Sequence, residues 1–78
     1  MLKVFQVIEN GITYEFEEAE EGGYTVNVPD LPGCISEGDT FEEALEMIKD
    51  AMLGWLIVAK RHNDPFPDKY LRLVEEMV

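Results

Sequence analysis

"GGYTVNVPDLPGCISEGDTFEEAL", residues 22–45, changes secondary structure twice within two dozen positions, and its punctuation says where. Tyr24-Thr25-Val26-Asn27-Val28 alternates with the period of a half-buried strand. Pro29 and Pro32 remove two backbone donors and fix two φ angles, so no central strand runs on through "VPDLPG". A short strand, Cys34–Glu37, fits before Gly38-Asp39. Thr40-Phe41-Glu42-Glu43 then has capping-box spacing: the threonine oxygen accepts from the Glu43 N–H, and the Glu43 carboxylate returns to the cap. A helix therefore begins at Phe41.

Upstream, residues 2–8 and 12–19 are β-prone runs separated by Asn10-Gly11, the strongest two-residue hairpin signal. That turn sets Glu9 opposite Ile12, Val7 opposite Tyr14 and Phe5 opposite Phe16, so the aromatics share a core face. Val4, Gln6, Ile8, Thr13, Glu15 and Glu17 fall on the other face, a mixture expected to be partly exposed and partly covered by a neighbour. For the next connection an even loop would turn the apolar side of strand 24–28 against the charged side of its neighbour. A three-residue loop, Glu21-Gly22-Gly23, avoids this, places Phe16 opposite Val28 and supplies a glycine for the left-handed position.

Downstream, Phe41, Leu45, Ile48, Met52, Trp55, Leu56 and Ala59 recur at spacings of three and four, the stripe of a helix packed on a sheet over residues 41–61. Leu53, Gly54, Ile57 and Val58 lie off that stripe and are surplus to what one thin sheet covers; they are the candidates for contact with a second copy. Gly54 costs about 0.5–1 kcal/mol against alanine, a cost understandable if another group approaches closely there. "HNDPFP" ends the helix. Asp68 is placed to cap a last helix, 69–77, with Tyr70, Leu71, Val74 and Met77 on one side. The sum is an α+β fold: a small antiparallel sheet of three to four strands, one long helix packed on one face and a short C-terminal helix, in a single domain spanning residues 1–78.

Composition narrows the function classes. The chain is 46% hydrophobic, enough to fold, although 78 residues give only a thin core. Six basic against seventeen acidic residues leave a net charge of -11, which repels a phosphate backbone and attracts a basic partner. One cysteine makes no internal disulfide, no leader-like segment opens the chain, and the apolar stretch 51–59 is far short of a membrane span. A reducing, cytoplasmic setting without membrane or nucleic-acid contact is expected.

No catalytic set is evident. Cys34 and His62 lack a third partner at any motif spacing, and Cys34 reads as a small buried residue. Asp30, Glu37 and Asp39 do not follow the ligand pattern of a calcium loop, and no glycine spacing matches a nucleotide fingerprint. Neither a cofactor nor a metal is expected. Asp30, Glu37 and Asp39, with Glu15 and Glu17 of "EFEEAEE", are instead candidates for contact with a basic protein.

From Gly22 to Leu56 the chain resembles the HicB-like antitoxin family: a glycine-preceded strand, a "PDLPGC" corner, an "S-x-GDT" turn and an "EEAL" helix start occur in order. The resemblance implies a partial RNase H-like fold, a homo-oligomer such as a dimer or tetramer, and neutralisation of HicA, a small basic mRNA-cleaving toxin with a catalytic histidine. It implies no enzymatic activity, because no active-site carboxylates can be matched to positions here. Full-length members add a C-terminal DNA-binding domain, whereas residues 62–78 provide one short helix, so operator binding is not implied. The alternative is a stand-alone oligomeric domain with a regulatory or binding role and no toxin.

Overall fold

A computed structural model describes residues 2–77, with side chains through residue 75. Four strands, β1 (Val4–Glu9), β2 (Ile12–Glu18), β3 (Tyr24–Asn27) and β4 (Ile35–Gly38), form one antiparallel sheet in sequence order. Helix α1 (Phe41–Arg61) lies across β4 and β3, and a 3-10 turn, Asp68–Tyr70, leads into α2 (Leu71–Met77). This is the α+β architecture that the sequence predicts, with four strands.

The β1–β2 register follows from the turn. Asn10 and Gly11 both take positive φ, 54° and 78°, as a type I′ turn requires, and Phe5 faces Phe16, Val7 faces Tyr14 and Glu9 faces Ile12. The β2–β3 register differs from expectation: Phe16 faces Val26, not Val28. The loop does hold three residues, but they are Glu20-Glu21-Gly22, one position earlier, between Ala19 and Gly23, which bond through the Ala19 N–H at 3.1 Å. Gly22 takes the left-handed position, and its N–H closes the turn on the Ala19 carbonyl at 3.0 Å. Gly23 is needed beyond the loop, because a Cβ there would come within 2.7 Å of the Gly38 oxygen. Parity survives the shift, so apolar still faces apolar.

The corner and the cap carry the chain from sheet to helix. Leu31 N–H donates to Val28 O at 2.9 Å and Cys34 N–H to Leu31 O at 3.0 Å, folding "VPDLPGC" into successive turns. Glu43 N–H donates to Thr40 Oγ1 at 3.1 Å, and the Glu43 carboxylate accepts from the Asp39 N–H at 3.1 Å, one residue before the cap itself. Val26, Val28, Leu31, Phe16, Ile48 and Leu56 are fully enclosed between sheet and helix. Ala44 belongs with them: it sits so near Gly38 that a Cβ on Gly38 would lie 2.4 Å from the Ala44 nitrogen.

The tail departs from expectation at its start. Asp68 begins the 3-10 turn and makes no side-chain cap; Pro67 occupies the cap position. Tyr70 and Val74 are buried in the core and Leu71 is exposed, while Met77, expected on the same side, lies outside the described side chains.

Candidate protein-interaction site

One face of the sheet is covered by α1 and the tail, and among the described residues the other carries no element. Alternation along the strands and the cross-strand register decide what stands there. Val4, Glu17, Thr25 and Glu37 form one row across all four strands, and Gln6, Glu15, Asn27 and Ile35 form the next. At a strand spacing near 4.8 Å, Glu17 and Glu37 are about 10 Å apart. Val4, Ile8 and Ile35 are 60%, 70% and 65% exposed, which places large apolar groups around the carboxylates.

Neither row contains a lysine or arginine. Among the described residues Glu15, Glu17 and Glu37 take part in no ion pair; Glu15 accepts a hydrogen bond from Gln6 Nε2 at 3.4 Å. The fold thus gathers three of the five acidic candidates into one uncompensated patch with apolar flanks. Such a surface suits a basic protein partner, since like charge is kept off it and the apolar groups supply area to bury.

Asp39 stands exposed just beyond β4, with only its backbone engaged. Asp30 is elsewhere and occupied. Its Oδ2 accepts from the Tyr70 hydroxyl at 3.0 Å and meets Lys69 Nζ at 3.0 Å, and Lys69 also donates to the Gly11 carbonyl at 2.9 Å. These hydrogen bonds and the lysine's charge hold the Asp30 carboxyl below its ordinary range, while burial and the Asp30 charge push the Tyr70 phenol well up. Asp30 ties the tail to the corner and the first hairpin.

The helix residues left over also divide. Gly54 and Val58 line a shallow groove of about 420 Å3 with Ile35 and Trp55, whereas Leu53 lies on the opposite side, facing a cleft of about 730 Å3 bounded by the hairpin and the tail. Ile57 is half-buried. Nothing of this chain comes within 4 Å of a Cβ placed on Gly54, so no contact inside the protein accounts for that glycine.

Several structural ties carry no sequence signal because their partners are far apart in the chain. Trp55 Nε1–H donates to the Pro32 carbonyl at 2.9 Å, pinning the corner to the helix, and Lys49 bridges to Glu9 at 2.6 Å. Cys34 is buried, and burial pushes its thiol up, away from the thiolate. His62 is exposed at the end of α1. Among the described residues no three His, Cys, Asp or Glu side chains converge as metal ligands. Among the described residues no helix is long and apolar enough to cross a membrane.

The sequence model described as "HicB_like antitoxin of bacterial toxin-antitoxin system" matches residues 12–76. A UPF0150 protein of Thermoplasma acidophilum is 48% identical over 48 residues, covering 62% of this chain and 70% of that protein. Antitoxin HicB 1 of Photorhabdus laumondii is 57% identical over 51 residues, covering 65% of this chain but 33% of the antitoxin. Antitoxin HicB of Escherichia coli K12 is 49% identical over 35 residues, 45% of this chain and 25% of its own length. The chain thus spans a third or less of these two antitoxins. No solved structure gives a significant match.

Proposed function

Because the chain belongs to the HicB-like antitoxin family of bacterial toxin–antitoxin systems, we propose that it is a non-enzymatic, cytoplasmic, self-associating protein that binds and neutralises a small basic mRNA-cleaving toxin of the HicA type. The observation that carries this reading is the uncovered sheet face, where Glu15, Glu17 and Glu37 stand without counter-charge in a chain of net charge -11. Complementary fields of this kind accelerate encounter and exclude like-charged competitors, including the RNA that the toxin would otherwise reach. Asp39 extends the patch past β4, while Asp30 contributes to the fold.

Isothermal titration against the short basic protein encoded beside this chain, with an RNA-cleavage assay on the mixture, tests the proposal. Tight binding that weakens with salt and abolishes cleavage is expected, and the Glu17→Lys/Glu37→Lys variant should lose about tenfold or more in affinity. Absence of measurable binding overturns it. A second reading is an oligomeric binding protein without a toxin. A genome neighbourhood lacking a short basic product decides for that reading.

A further inference from the structure

β1 is an edge strand, bonded to β2 on one side and free on the other. Its Asn10-Gly11 turn makes Glu9 and Ile12 a hydrogen-bonded pair, so the odd-numbered residues of the strand turn their backbone groups towards β2, as the 2.9 Å bond from Glu18 N–H to Lys3 O shows. Val4, Gln6 and Ile8 therefore turn theirs outward. Natural edges are commonly protected by proline, a bulge or a charged side chain at mid-strand. This one has none of these: its outward row is Val4, Gln6 and Ile8, with the two valine and isoleucine side chains 60% and 70% exposed.

The edge is complementary to itself. We propose that two copies join through antiparallel pairing of their β1 strands, with Gln6 opposite the partner's Gln6 on the two-fold axis. In that register Val4 faces the partner's Ile8, and both residues use outward-turned backbone groups, so the ladder forms without distortion. On the other face Phe5 meets the partner's Val7, and Lys3 meets the partner's Glu9. Lys3 has no ion pair among the described residues, and Glu9 already holds Lys49 at 2.6 Å, so the new contact extends a charge pair into a short network. A shift of two residues one way sets Ile8 against the partner's Gln6; the opposite shift carries Ile8 past the strand's end; either separates Lys3 from the partner's Glu9. Because α1 lies over β4 and β3, Phe5 and Val7 are only half-buried, and the partner strand covers them.

The pairing makes one continuous sheet of two four-stranded sheets and leaves both acidic faces on the same side, so a dimer offers two patches at once. It rests on the self-association proposed above and adds an edge and a register; it does not depend on a toxin.

Light scattering at tens of micromolar, far-UV circular dichroism and disulfide trapping test it together. The protein should be a dimer, and Gln6→Pro, which removes an outward N–H that no bond within the chain uses, should raise the dissociation constant about tenfold or more with the helical signal unchanged. Cys34 is buried, so a Gln6→Cys variant should oxidise to a covalent dimer much faster than a Val58→Cys variant, the expected separation at a hydrogen-bonded pair being within disulfide reach. A monomeric protein overturns both the pairing and the self-association. A dimer that withstands Gln6→Pro, or that traps faster through Val58→Cys, overturns the pairing and leaves self-association standing. If Gln6→Pro fails to fold, the two trapping rates decide.

Discussion

Strand β2 places Ile12, Tyr14 and Phe16 in the core and Thr13, Glu15 and Glu17 outside, and the sheet as a whole repeats that division. On the covered face Phe5, Phe16, Tyr24 and Phe41 form one aromatic cluster that joins the sheet to α1, with Phe16 and Phe41 centroids 4.8 Å apart. On the uncovered face, side chains meet solvent and one another. The lesson is that the two faces of one backbone answer to different demands, stability on one and association on the other, and substitutions should sort accordingly.

The largest effect should come from the covered face. Phe16→Ala removes a fully enclosed ring and should cost about 3–5 kcal/mol by chemical denaturation, enough to unfold a chain this small. Glu17→Ala, one residue along on the other face, should change stability by no more than about 0.5 kcal/mol; a comparable loss there would break the contrast.

Next is Gly38→Ala. Its Cβ would meet backbone atoms of Ala44 and Glu43 at 2.4–2.9 Å, and backbone yields little, so a loss of about 1–3 kcal/mol or more is expected in thermal melts. Gly54→Ala tests the opposite case: nothing lies near, and the monomer should gain about 0.5–1 kcal/mol. If Gly54→Ala also weakens self-association, the groove beside Val58 is an interface as well.

The tail clamp should give a smaller effect with a pH signature. Tyr70→Phe deletes the hydroxyl bonded to Asp30 and should cost about 1 kcal/mol. The folded-state carboxyl of Asp30 titrates below its ordinary 3.8, so its contribution is complete above that value and is lost as pH falls through the lower folded value. The Tyr70 phenol titrates above its ordinary 10.0, so its contribution is complete below pH 10 and is lost as pH rises beyond it. Denaturation series at acid and alkaline pH should show both declines, with the acid one reduced in Asp30→Asn.

The sequence by itself determined the elements and their polarity. Asn10-Gly11 fixes the first register, because two positive φ angles admit only one kind of turn. Thr40 and Glu43 fix the helix start, and the spacing from Ile48 to Ala59 fixes its buried stripe. Each rests on contacts within a few residues or on a repeating period, which a chain displays without being folded. What only the tertiary structure decided is where distant residues meet. Gly23 came to lie against Gly38 of β4, and the β2–β3 loop closed on Glu20-Glu21-Gly22, two residues of register away from the expected pairing. Asp30 found Tyr70 and Lys69, forty residues on, and became a tie instead of a free contact. Glu37, twenty residues beyond Glu17, joined Glu15 and Glu17 in one patch through register alone. Such meetings are set by how helix, corner and tail close over one thin sheet, and no local pattern encodes that closure.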